Sequence, residues 1–291
     1  MRIVYIEFTY TNYEILFDDD LFAKNFCAVF EANDERTERI DNKPYQVIEV
    51  IGDEGFTYSV ILNSVLIQKS MNCNEATYCI TRIISDNICD CVDDNVYCMH
   101  AASVAIDGGF ISFSGSSGSG KTTLALLFSK YGRFAGDEYA YININTGSMW
   151  HERHPYQLKS GNLASLPKLT KDRIIEVEGE PFGLARYVSL LTTNYLQTTS
   201  ENPLRLRVLV FPHYTSGCKG TTINKMPAKY LPEAVLGSTM GWDLPSSVFS
   251  KFIRMAAHNG ISFLMMEYCD GVEASRALFN YLQGFQRKDN I

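Results

Sequence analysis

Nine consecutive residues, Gly115-Ser-Ser-Gly-Ser-Gly-Lys-Thr-Thr123, restrict the fold of this chain more than any other stretch. The glycines at 115, 118 and 120 permit backbone conformations closed to residues that carry a Cβ. Successive N–H groups can therefore turn inward around an anion. The spacing Gly115-x-x-x-x-Gly120-Lys121-Thr122 is that of a phosphate-binding loop, which needs an apolar strand before it and a helix after it. Both neighbours are present. Phe110–Phe113 reads as the strand, and Leu-Ala-Leu-Leu-Phe-Ser-Lys-Tyr-Gly reads as the helix, with Gly132 as its C-terminal stop. The helix start adds the positive end of its dipole. A nucleoside triphosphate site with magnesium is expected here. Gly115, Ser116, Ser117, Gly118, Ser119, Gly120, Lys121, Thr122 and Thr123 would form the cradle. Lys121 would reach the β- and γ-phosphates, and the Thr122 hydroxyl would ligate Mg²⁺.

The chain around this loop changes character near residue 96. Residues 1–95 alternate short apolar and aromatic runs with polar breaks, as in RIVYIEF, YQVIEVIG and FTYSVILNSVLI, which predicts strands. The first twenty residues read as a strand pair and not as a signal peptide, since Glu7 and Glu14 interrupt them. Residues 75–89 have helical character. From 96 onward, Ser103–Ile106 and Phe110–Phe113 read as a hairpin turned by Asp107-Gly108-Gly109. Strands are expected at 140–145, 204–212 and 261–268, and a helix at 246–258. Asp270-Gly-Val-Glu273 looks like a capping box that opens a last helix. Alternating strands and helices predict an α/β layer with the loop at a strand end. The organisation expected is a β-rich N-terminal region over 1–95 and a P-loop core over 96–291.

Charge and cysteine usage narrow the function classes. A net charge of −7 leaves no broad basic stripe for a phosphate backbone, so no nucleic-acid partner is expected. No run approaches the roughly 20 apolar residues a bilayer span needs, so no membrane role is expected. The eight cysteines, without a secretion signal, read as reduced thiols of a cytoplasmic protein. Cys89, Cys91, Cys98 and His100 offer zinc-ligand chemistry as a minor alternative, but their C-x-C and C-x-H spacing is not the usual C-x2-C knuckle.

A second chemical signal lies past the loop, at Arg133-Phe-Ala-Gly-Asp137-Glu138-Tyr139. Were the phosphoryl group passed to a serine hydroxyl, a poor nucleophile, a carboxylate would have to accept its proton, and a second acid near Mg²⁺ could serve as metal ligand. Adjacent acids can divide that labour. Asp137 is expected as the base and Glu138 as the metal or water ligand, with the reverse order as the alternative. Cations for the equatorial oxygens are sought among Lys159, Arg186, Arg205, Arg207 and Lys219. No LSGGQ-like segment and no N-K-x-D segment occur, which disfavours ABC-type ATPases and GTPases.

Residues 99–145 resemble the catalytic core of the HPr kinase/phosphorylase superfamily. The resemblance rests on His100-Ala-Ala before the loop, on Gly115–Thr122, and on Gly136-Asp137-Glu138 where the family has Ala-Asp-Asp. It weakens over 150–290, where Val210-Phe211-Pro212 matches a late strand, and over 1–95 it is one of layout. Glu138 stands where the family has Asp, and Ala102 where it has Ser. The segment by which bifunctional members remove phosphate is not recognisable, which leaves dephosphorylation open. The resemblance implies a P-loop, HPr-kinase-like core with a mixed sheet, and ATP- and Mg²⁺-dependent transfer to a serine. It gives His100 a role in orienting the base or contacting the phosphoryl group; His151, His154, His213 and His258 have no such match. The layout is similar to that of HPr-kinase-like proteins of peptide-modification clusters. That implies a ribosomal peptide or small protein as acceptor, and a homo-oligomer is compatible with it. A small-molecule kinase, on free serine or a sugar, and a nucleotide-gated peptide-binding module without transfer are the other readings. Preference for ATP over GTP is not legible.

Overall fold

The computed structural model describes residues 1–8, 10–30, 45–53, 57–90, 94–152, 154–159, 174–179, 183–240 and 246–286. The described residues form two compact units, one from Met1–Val92 with Arg153–Gly161 and Lys168–Thr192, the other from Asp93–Glu152 with Thr193–Ile291.

The first unit opens with β1 (Arg2–Glu7) and β2 (Asn12–Phe17), an antiparallel pair as expected. A helix, α1 (Asp20–Phe30), follows where only strands were anticipated. Its three phenylalanines suit a strand as well as a helix. Its buried residues Phe22, Ala23, Phe26, Val29 and Phe30 nevertheless fall at helical spacing. The Asp19 carboxylate caps it by accepting the Phe22 N–H at 2.9 Å. Phe22 and Phe26 pack on Phe17 with ring centroids 5.2 and 5.4 Å apart. Then come β3 (Gln46–Asp53), β4 (Thr57–Leu62) and β5 (Val65–Met71), giving a five-stranded sheet in the order β1-β2-β3-β4-β5. Helix α2 (Cys73–Asp90) is closed at its start by a reciprocal cap. Asn72 Oδ1 accepts the Glu75 N–H, and Glu75 Oε2 accepts the Asn72 N–H.

The second unit begins with β6 (Val96–Ile106) and β7 (Gly109–Ser114). They pair up to Ile106 and Gly109, so Asp107 and Gly108 alone make the turn, both at positive φ (48° and 75°). Strand β6 starts seven residues before the predicted hairpin arm and so includes His100. Helix α3 (Lys121–Phe128) and a 3₁₀ turn over Ser129–Tyr131 lead to β8 (Arg133–Gly136), β9 (Tyr139–Asn143) and β10 (Ser148–His151). The three strands β11 (Tyr156–Lys159), β12 (Ile174–Gly179) and β13 (Gly183–Val188) form a small antiparallel sheet that groups with the first unit. The chain returns with β14 (Leu204–Tyr214), β15 (Thr222–Lys225), α4 (Leu231–Leu236), α5 (Ser246–His258), β16 (Ser262–Tyr268) and α6 (Gly271–Gln286). Asp270 Oδ1 accepts the Glu273 N–H at 2.9 Å and caps α6, as its sequence suggested.

The large sheet runs β10-β9-β6-β7-β14-β16-β15, with β8 also on β6. It is mixed, because β7, β14 and β16 are parallel while β6, β9 and β15 run against their neighbours. Its two faces are covered separately. Phe110 belongs to a core with Tyr97, Leu209 and Phe252 of α5, whereas Phe113, an odd number of residues on, meets Phe128 of α3 at 5.8 Å. Burying a ring such as Phe252 stabilises by about 1.5–3 kcal/mol. The fold is mixed α/β.

Candidate active site

The loop Gly115–Gly120 leaves the C-terminal end of β7 and enters α3, beside the parallel strands β14 and β16. In α/β sheets such an edge is where ligands bind. Gly118 and Gly120 have φ of 82° and 92°, which side chains rarely tolerate. A Cβ on Gly120 would also overlap the Tyr268 hydroxyl, which donates to the Ser119 carbonyl at 2.9 Å. Tyr268, at the end of β16, therefore clamps the loop. Sequence reading missed it, since only parallel pairing brings that strand end here.

Lys121 is buried, and its ammonium donates to the carbonyls of Gly115 (3.0 Å) and Ser116 (3.2 Å). Ser116, Ser117 and Gly118 are exposed, so the loop has a solvent face. Thr122 Oγ1 donates to Asp137 Oδ2 at 2.9 Å, joining the loop to the acidic pair.

The two acids sit between β8 and β9, which both pair with β6. The Asp137 carbonyl accepts the Tyr139 N–H at 2.9 Å, closing a tight turn around Glu138, whose φ is 67°. A glutamate in that region costs about 1–2 kcal/mol, and such strain concentrates at functional sites. The kink sends the two carboxylates to different partners. Asp137 is 1% exposed and faces Thr122. Glu138 is partly exposed and meets His100, with Nε2 to Oε2 at 3.0 Å. His100 is held by its backbone: its N–H donates to Ser238 O at 2.8 Å, and its carbonyl accepts the Ser114 hydroxyl at 2.7 Å. Burial, then the Glu138 charge, pushes the Asp137 pKa up to about 6; His100, Thr122 and Lys121 oppose this.

Gly136 is required for packing. A Cβ there would lie 2.6 Å from the Cβ, Cγ and Nδ1 of His151, a fully buried ring kept neutral by a pKa pushed down to about 3. Gly136→Ala should destabilise the protein by about 1–3 kcal/mol in urea denaturation and pull Asp137 off Thr122. His151 had no functional signal in the sequence and serves as the floor of this turn.

The remaining expectations fare unevenly. Arg205 and Arg207 lie at the start of β14, at the opposite end of the sheet from the loop, so they are not the cations of this site. Arg186 is paired with Glu176 in the small sheet. Lys219 is exposed in the segment after β14, on the loop's end of the sheet. The Lys159 side chain lies outside the described residues, as do Cys91 and the Cys89 side chain, on which the zinc alternative depended. The six described cysteines are free thiols, and no group of three metal-ligating side chains occurs among the described residues. Nor, among them, is any helix long and apolar enough to cross a membrane.

No family model matches the chain, and no curated protein matches it. Among solved structures it is similar to that of the Hpr(Ser) kinase/phosphatase from Coxiella burnetii, at 9% identity and a TM-score of 0.30, over 66% of this chain and 94% of that one. The likeness is a distant one.

Proposed function

We propose that the protein is an ATP- and Mg²⁺-dependent kinase that transfers the γ-phosphoryl group to a serine hydroxyl of a ribosomal peptide or small protein. The observation that carries this reading is the Thr122–Asp137 hydrogen bond, which joins the phosphate loop to the acidic pair with His100–Glu138 alongside. The residues fit the nucleotide. The loop has left-handed glycines, a lysine amine held on its own carbonyls, and a hydroxyl–carboxylate pair of the kind that holds magnesium in phosphate-loop proteins. Bound Mg·ATP would supply the transferable phosphoryl group and a dication to neutralise charge at the phosphates.

The contacts favour the reverse of the division of labour expected first. Asp137, buried and bonded to Thr122, is on the magnesium side, while Glu138, partly exposed and oriented by His100, is the base. Glu138 takes the proton of the serine hydroxyl as its Oγ bonds to the γ-phosphorus. The bond from that phosphorus to the bridging oxygen breaks, and ADP leaves. Lys121, whose ammonium is held on the Gly115 and Ser116 carbonyls, would pair with the phosphates.

A peptide acceptor is supported by the likeness of layout to peptide-modifying kinases and by β5, an edge strand whose Val65, Leu66 and Ile67 are 62%, 53% and 45% exposed. Such an edge can take an added strand. The test is mass spectrometry of candidate peptides, drawn from neighbouring genes, incubated with ATP and Mg²⁺. The expected result is one added phosphate on a serine. Lys121→Ala should abolish it. Glu138→Gln should slow it by about 10²–10⁴-fold while keeping Mg²⁺-dependent ATP binding. Phosphate on free serine or a sugar alone would replace the peptide by a small molecule. Tight ATP binding with neither transfer nor hydrolysis would leave a binding module.

A further inference from the structure

At the end of the large sheet remote from the loop, the starts of β7, β14 and β16 and the last turns of α6 line a half-open cavity of about 410 Å³. That volume suits a small organic ligand. Strand β7 is six residues long, so this cavity and the loop are roughly 20 Å apart along it. Its lining is about half apolar, with Ile111, Val208, Leu264, Phe279 and Leu282 contributing that part. Arg205 and Arg207 line it too, and neither guanidinium has an ion pair among the described residues.

Two features of the backbone place those arginines. The β7–β14 register shifts between Leu206 and Val208, so Arg207 falls out of the ladder. Bulges of this kind re-aim a side chain. Gly109, the register partner of Arg205, leaves room for the Arg207 stem, since a Cβ there would overlap the Arg207 Cδ and lie 2.7 Å from its Cγ.

We propose that this cavity binds a small monocarboxylate with an apolar body. The charged lining residues are Asp107, Arg205 and Arg207, a sum of +1 that suits one carboxylate better than a dianionic phosphate. Guanidinium groups match a carboxylate fork, and the five apolar side chains take the hydrocarbon.

The test is ligand-observed NMR titration of the whole chain with octanoate and 3-phenylpropanoate, against 3-phenylpropan-1-ol and inorganic phosphate. Saturable binding of at least one carboxylate is expected, about tenfold or more tighter than the alcohol and not displaced by phosphate. The double change Arg205→Gln, Arg207→Gln should weaken it by a similar factor. The exposed positions of both arginines should leave the melting temperature unchanged. Gln283→Trp, which fills the mouth from α6, should block binding, and Lys121→Ala should leave it intact, separating this site from the loop. Absence of saturable binding by both carboxylates, equal binding of the alcohol, displacement by phosphate, or indifference to the arginine changes would each overturn the proposal.

Discussion

Replacing Asp137 by Asn should make the metal-free protein more stable at neutral pH and at the same time remove Mg²⁺-dependent transfer. The carboxylate is 1% exposed and its pKa is raised from 3.8 to about 6 by burial and by Glu138. Because folding raises this pKa, the ionised group opposes folding. Below about pH 4 both the folded and the unfolded chain hold the proton, and nothing is lost. The penalty grows as pH rises from 4 to 6 and is complete above about 6, amounting to about 1–3 kcal/mol. Asparagine keeps an oxygen for the Thr122 hydroxyl and carries no charge. Urea denaturation in the presence of a chelator should show the full gain at pH 7.5 and about a third of it at pH 4.5. An equal gain at both pH values would mean that packing, not ionisation, is responsible. Added Mg²⁺ should stabilise the parent protein and not the variant, while transfer falls by at least about 10²-fold. Opposite signs on stability and activity are what a site built around a buried charge predicts.

Gly120→Ala should be more damaging than Gly136→Ala. The position has φ of 92°, which a residue with a Cβ adopts only at a cost of about 1–2 kcal/mol. The new methyl would also overlap the Tyr268 hydroxyl, which is tied to the Ser119 carbonyl. Together these should lower stability by about 2–4 kcal/mol and open the loop, abolishing nucleotide binding. The steric and backbone parts can be separated. Tyr268→Phe in the same chain removes the overlapping oxygen and should recover part of the stability, and the backbone strain should remain. Full recovery would show that φ at Gly120 is unimportant; no recovery would show that Tyr268 does not press on this residue. Melting curves and nucleotide titrations of the three variants decide it.

The spacing of glycines, lysine and threonine in Gly115–Thr122 could be read from the sequence, because each residue there is chosen for a local backbone reason. The hairpin before it, α5 and the cap of α6 were legible for the same reason, since turn chemistry and periodicity act within a few residues. Helix α1 was not, because its phenylalanines suit a strand as well as a helix. Only packing of Phe22 and Phe26 on Phe17 selects the helix. The nature of Asp137 and Glu138 as adjacent acids was visible, but their separate partners were not. The turn at Glu138 and the pairing of β6 with both β8 and β9 send one carboxylate to Thr122 and the other to His100. The same holds for the arginines. Sequence offered Arg205 and Arg207 as cations near the phosphates, and the parallel direction of β14 beside β7 carries them to the far end of the sheet. Sequence by itself determined which chemical groups this protein has and the loop that presents some of them. Tertiary structure decided which of them meet, because strand direction and register act between residues too far apart in the chain for any local pattern to record.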